Sequence, residues 1–151
     1  MAQIVVDVVI NQPVEKVFAF VTDSDNDAKW QSGVIETKRI TPGPPGVGTR
    51  VAVVRTFLGQ RLQATAEVTE YEPNKKSAFK SVSGPVKFAA VQTFQSVPGG
   101  TKFSTVADVE PGGFFKIAGP LFVTIDVGSI AAKKQIESDA PKLKEVLETM
   151  G

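Results

Sequence analysis

Pro13-Val14-Glu15-Lys16-Val17-Phe18-Ala19-Phe20 decides how this chain is read. A proline suits the first turn of a helix, and Glu15 is well placed against the positive helix end. Val14, Val17, Phe18 and Val21 recur at i, i+3, i+4 and i+7, one helical face. Upstream, Ile4, Val6, Val8 and Ile10 alternate with Asp7 and Asn11, which is strand spacing. Downstream, Asp23-Ser24-Asp25-Asn26-Asp27 ends the helix and caps a second, short one reaching Trp30, the single tryptophan.

Beyond Trp30 the period changes from helix to strand. Residues 34–40 predict a strand, and Pro42-Gly43-Pro44-Pro45-Gly46-Val47-Gly48 is a loop by its chemistry. Three hairpins follow. Gly59-Gln60 joins 49–58 to 61–72, Gly84-Pro85 joins 76–83 to 86–97, and Gly99-Gly100 joins that strand to 101–110. A two-residue loop fixes the register of an antiparallel pair. The first register sets Phe57 opposite Leu62, Arg55 opposite Ala64 and Val53 opposite Ala66. The second sets Phe79 opposite Ala90 and Ser81 opposite Phe88. The third sets Phe94 opposite Thr105 and Gln92 opposite Ala107. In each pair one face is the drier and is expected inward.

Phe114 to Leu147 reads as one long helix. Leu121, Ile125, Gly128, Ala132, Ile136, Leu143 and Leu147 recur at helical spacing. Pro141 cannot donate a backbone hydrogen bond, so a kink or restart is expected near Ser138. The whole is an α+β expectation. A seven-stranded antiparallel curved sheet wraps a long C-terminal helix, with two short helices after the first strand.

Composition narrows the chemistry. The chain has 151 residues, enough for one domain with a real core, and a net charge of +1. That charge does not suggest a nucleic-acid partner. Cysteine and histidine are both absent, which removes disulfides, thiolate nucleophiles and the commonest general base and metal ligand. No metal or cofactor is expected. The apolar start carries Asp7 and lacks a basic opening, so it reads as a strand, not a signal peptide. The stretch from Phe114 to Ala132 contains Lys116, Pro120 and Asp126 and does not read as a membrane span. The default location is cytoplasmic.

The inward faces suggest a hollow. Ala64, Ala66, Ala90, Ala107 and Ser81 are too small to fill a strongly curved sheet, and Gly128 and Ala132 on the helix are small as well. The expected lining is Val53, Arg55 and Phe57 on one strand and Ala64 and Ala66 on the next. Phe79, Phe88, Gln92, Phe94 and Thr105 follow, then Ile125 and Ala132 from the helix; Trp30 is either a core residue anchoring the short helices or a ligand-stacking residue at the mouth. Such pockets commonly enclose about 300–1,000 Å³. Arg55 is the exception on a dry face. A buried guanidinium needs a partner, either a structural one or the polar end of a ligand, and Gln92 could share that task.

Several motifs resemble those of the START-like, helix-grip superfamily, which includes the birch-pollen-allergen proteins and the polyketide cyclase/dehydrase and lipid transport group. They are Ile10-Asn11-Gln12-Pro13-Val14-Glu15-Lys16-Val17-Phe18, Trp30, Gly46-Val47-Gly48-Thr49-Arg50 and Val68-Thr69-Glu70-Tyr71-Glu72-Pro73. Gly99-Gly100-Thr101 and Leu143-Lys144-Glu145-Val146-Leu147-Glu148 complete the set. The resemblance spans nearly the whole chain. It implies one ligand-binding domain over residues 1–151 and an internal apolar cavity. The leading function is binding or carrying a small hydrophobic molecule: a lipid, a sterol-like compound or an aromatic metabolite. The alternative is a cofactor-free enzyme of polyketide cyclase/dehydrase type with Arg55 on an enolate oxygen. A partner-regulated subunit is a third reading.

Two motifs take plainer explanations. Asp23-Ser24-Asp25-Asn26-Asp27 opens like a calcium loop, but Ala28 and Val34 stand where that loop needs glycine and glutamate. Gly46-Val47-Gly48 lacks the following Lys-Ser/Thr and helix of a phosphate loop. Glu70, Glu72 and Asp126 are expected at solvent or rim positions, and no carboxylate pair is evident from spacing.

Overall fold

A computed structural model describes the backbone of residues 2–110, 116–118 and 124–150, and the side chains of 3–109 and 130–150. Strand β1 (Ala2–Ile10) is followed by helix α1 (Val14–Thr22), a 3-10 turn (Ser24–Asn26) and helix α2 (Asp27–Trp30). Strands β2 (Val34–Arg39), β3 (Arg50–Phe57), β4 (Gln60–Glu72), β5 (Lys76–Ser83), β6 (Lys87–Val97) and β7 (Gly100–Glu110) come next. A short pair, β8 (Lys116–Ala118) and β9 (Thr124–Asp126), precedes helix α3 (Val127–Thr149). The seven long strands form one antiparallel sheet in the order β1-β7-β6-β5-β4-β3-β2. Sheet, long helix and paired short helices make the expected helix-grip arrangement.

The hairpins show why the inward faces were readable. The β5–β6 register is the expected one, with Phe79 opposite Ala90. The other two registers slip by two residues: Arg55 pairs with Leu62 and Val53 with Ala64, and Phe94 pairs with Phe103 and Gln92 with Thr105. Side chains alternate with period two, so a two-residue slip leaves every face unchanged. The slip has a local cause. The β3–β4 turn is Leu58-Gly59, at φ 51° and 76°, the pair of positive values that suits a right-twisted two-residue loop. The β6–β7 turn is Pro98-Gly99, which leaves Gly100 as the first residue of β7. At Gly100 a Cβ would lie 2.0 Å from the Ile10 carbonyl oxygen, so only glycine permits β1 to approach.

Two expectations for the tail are corrected. The long helix begins at Val127, not near Phe114, and residues 116–118 and 124–126 are extended. Ile117 pairs with Ile125 across β8 and β9. β-branched residues such as Thr124 and Ile125 favour pleated backbone, and apolar spacing alone could not separate them from a helix. Leu121 lies outside the described residues. Nor does the helix restart near Ser138, because α3 runs on through Pro141. The carbonyl that loses its donor there belongs to exposed Glu137, where water can serve it.

The core divides along α3. Leu143 and Leu147, both fully buried, pack with Ile10, Val17, Phe18, Phe94 and Phe103 into a solid cluster under α1. A second cluster holds Ile4, Phe57, Ala90, Ala107, Val109 and Ala132, and is dominated by smaller side chains. One end of the grip is therefore filled and the other is not. No helix among the described residues is long and apolar enough to cross a membrane.

Candidate functional site

Two adjoining chambers open beside the solid cluster, the first between the sheet and α3 and the second between the sheet and the segment from the end of α1 to α2. The first, about 150 Å³, is lined by Trp30, Val53, Arg55, Phe57, Ala64, Phe79, Phe88, Gln92, Thr105 and Ala132, among others. The second, about 120 Å³, takes in Ala66, Val68, Ser77 and Asp27. Gln31, Val53, Arg55, Phe79, Phe88 and Gln92 line both and so form the partition. Even together the chambers fall below the expected range of about 300 Å³ upward.

Most of the residues expected at the cavity line one of the two chambers; among those whose side chains are described, Phe94 alone does not. Ala66 faces only the second chamber. Phe94 lines neither. Its ring stands 5.0 Å from that of Phe18 and 5.3 Å from that of Phe103, inside the solid cluster. Ile125 has its backbone in β9, and its side chain lies outside the described residues. Trp30 is buried and meets Phe103 edge to face at 6.4 Å. Its indole Nε1 is the one fully buried side-chain polar atom without a hydrogen-bond partner among the described residues.

Arg55 sits at the centre. Its Nη2 donates to Gln31 Oε1 at 3.2 Å, and no carboxylate of the described residues comes within ion-pairing distance of it. Two carboxylates nevertheless act on it. Desolvation lowers the guanidinium's affinity for its proton, while Asp27 and Asp139 raise it again. Asp27 faces the second chamber and Asp139 the first. Burial pushes the Asp27 carboxyl up to about 7; Arg55 pulls it down, and Asp23 and Asp25 push it up. Asp139 is also raised by burial, against the opposing pull of two hydrogen bonds from Ser32 and the charge of Arg55.

Sequence reading missed Asp27, Gln31 and Asp139 as cavity residues. Asp27 looked like part of a capping run, and Asp23 Oδ1 does accept from the Asp25 N–H at 3.0 Å. The link from α2 to β2 brings these groups together. Ser32 donates from N and Oγ to Asp139 Oδ1 at 3.0 and 3.1 Å. Next to it, a Cβ on Gly33 would lie 2.4 Å from Gln135 Nε2 and 3.0 Å from the Thr56 carbonyl. The absence of a side chain at Gly33 lets this link wedge between β3 and α3. Of the carboxylates expected at the surface, Glu70 is exposed and paired with Lys76 at 3.1 Å, and Glu72 is exposed. The side chain of Asp126 lies outside the described residues. No three acidic side chains among the described residues gather to hold a metal ion.

A curved sheet gripping a helix around a mostly apolar cavity can be compared with known families. The profile of the family "Polyketide cyclase / dehydrase and lipid transport" matches residues 1–148. The chain belongs to this family. No curated protein matches the sequence. Solved structures share the fold at low identity. A START superfamily protein from Mycobacterium smegmatis is 17% identical, with TM-score 0.76 and 99% of each chain covered. TTHA0849 from Thermus thermophilus is 17% identical, with TM-score 0.75 and 99% of each chain covered. Ara h 8.0201 is 13% identical, with TM-score 0.71 and 98% of each chain covered. At these identities the likeness speaks for the fold, and the chemistry must be argued from the cavity.

Proposed function

We propose that this protein binds or carries a small hydrophobic molecule, such as a compact aromatic metabolite or a short lipid, in the cavity between the sheet and α3. The observation that supports this most is the lining of the first chamber: mostly apolar residues, with a few polar groups that include Arg55 and Gln92. Sites that hold small apolar ligands are built this way. The size of the chambers favours a ligand of one or two rings over a sterol. A dry cavity of about 150 Å³ accommodates a benzene-sized molecule.

Displacement of an environment-sensitive apolar dye tests the reading. Dye bound inside the fold should be displaced by isopropylbenzene. Ala64→Phe, which fills the first chamber, should weaken dye binding at least tenfold and leave the protein folded. Dye binding unaffected by Ala64→Phe would place the dye on the surface and count against the cavity.

A second reading is a cofactor-free enzyme of cyclase/dehydrase type. The feature in its favour is Asp27, whose carboxyl burial pushes up to about 7 and which lines the same chamber as Arg55. Such a pair suits proton transfer at a carbon next to a carbonyl, with Arg55 on the enolate oxygen. Deuterium exchange into a bound methyl ketone, lost in Asp27→Asn, would favour the enzyme. Ketone bound with no exchange favours the carrier.

A further inference from the structure

Resting on the cavity reading, we propose that the site takes an aromatic or apolar carboxylic acid as its carboxylate, seated on Arg55, with one proton entering alongside to settle on Asp27. Two observations carry this. The first is the state of Arg55. A guanidinium has five N–H donors. Here one bond, to Gln31, is made among the described residues, and the side chain lines both chambers. The remaining donors form a fork that suits a carboxylate.

The second observation is the charge count. Among the described residues the two chambers are lined by one cation, Arg55, and two carboxylates, Asp27 and Asp139. A bound anion would leave three negative groups around one positive group in a poorly solvated space. Coulomb repulsion there is strong, and taking up a proton relieves it. The proton comes from the buffer, and the only bond formed is to an Asp27 oxygen.

Asp27 is the better acceptor for a local reason. Asp139 is held by two donors from Ser32, which favour its ionised form. Asp27 makes no hydrogen bond through its carboxyl among the described residues. The charges facing it are Arg55 from β3 and Asp23 and Asp25 from the preceding turn. Asp139, on α3, acts on the same guanidinium. Glu36 and Lys38 on neighbouring β2 are exposed, and Lys29 on α2 bonds Asn26. Burial already pushes this carboxyl up to about 7 without a ligand, so protonation near neutral pH is easy.

Calorimetry with benzoate and its neutral counterpart acetophenone tests this between pH 6 and 8.5, in two buffers of different ionisation heat. Benzoate should take up close to one proton per molecule above pH 8. Its Kd should weaken about tenfold per pH unit above roughly 7, the slope for one linked proton. Acetophenone should bind with no such slope. Asp27→Asn, which imitates the protonated form, should bind benzoate at pH 8.5 at least tenfold more tightly than the unaltered protein, without a slope. Benzoate bound without proton uptake overturns the proposal. A slope that survives in Asp27→Asn also overturns it and moves the proton to Asp139. Acetophenone binding without benzoate binding overturns the proposal and leaves the cavity reading standing. Failure of both probes overturns the cavity reading as well. Should Asp27→Asn not fold, the proton count on the unaltered protein decides alone.

Discussion

At the residue scale, the chemistry converges on Arg55 and the two aspartates that act on it. Asp27 carries a stability prediction whose sign follows from its raised pKa. An unfolded aspartate titrates near 3.9. The folded carboxyl holds its proton up to about 7. Its contribution to stability is therefore fully present below about pH 4 and is lost as pH rises through 7. Asp27→Asn should match the unaltered protein at pH 4 and exceed it at pH 8. Allowing for its partial exposure, the gain should be on the order of 1–2 kcal/mol, read by urea denaturation at both pH values. Equal stabilities at pH 8 would show that burial does not strain this carboxyl. Arg55→Met gives a companion prediction. It should stay folded, bind benzoate at least tenfold more weakly and keep its affinity for acetophenone. Equal loss for both probes would assign Arg55 to structure. Arg55 was legible in the sequence because it stood alone on a dry strand face, and the two-residue slip did not move it off that face. Asp27 and Asp139 were not legible. Each sits on a different helix, Asp27 stood inside a capping run, and only the tertiary fold brings the two to one guanidinium.

At the element scale, α3 and the α2–β2 link set the shape of the site. Pro141 lies within α3 on its exposed side. Proline inside a helix costs about 3 kcal/mol relative to alanine. Pro141→Ala should therefore stabilise the protein by about 1–3 kcal/mol in thermal denaturation, without touching the cavity. A loss of stability would mean that the proline is needed for the helix path. Gly33 is the opposite case. A methyl group there meets both the Gln135 side chain and the Thr56 backbone oxygen. Gly33→Ala should cost about 1–3 kcal/mol. Adding Gln135→Ala should recover part of it, since the side chain can yield and the backbone cannot. No recovery would put the whole clash on Thr56. The helical period was a sound guide to the second half of α3, where Leu143 and Leu147 are fully buried. It misled before Val127, because a run of apolar and β-branched residues fits a helix face and a short strand pair equally well.

At the scale of the molecule, the sheet order, the grip on α3 and the unequal core explain why a hollow persists. Bulky side chains from α1, β6, β7 and the end of α3 fill one half. Alanines from β6, β7 and the start of α3 face each other in the other half. The sequence already contained this contrast, as small residues on inward faces. It did not contain the size of the space, because that depends on how far Arg55, Gln92, Phe79 and Phe88 reach inward from their strands. The central claim is that this space binds a small molecule with its polar end on Arg55. The most direct measurement is anomalous diffraction from crystals grown with 4-bromobenzoate at pH 6. The account predicts one bromine peak between the sheet and α3, near Phe88 and Ala132, with the carboxylate against the Arg55 guanidinium. A chamber empty of bromine at full soaking, or peaks confined to the outer surface, would contradict it.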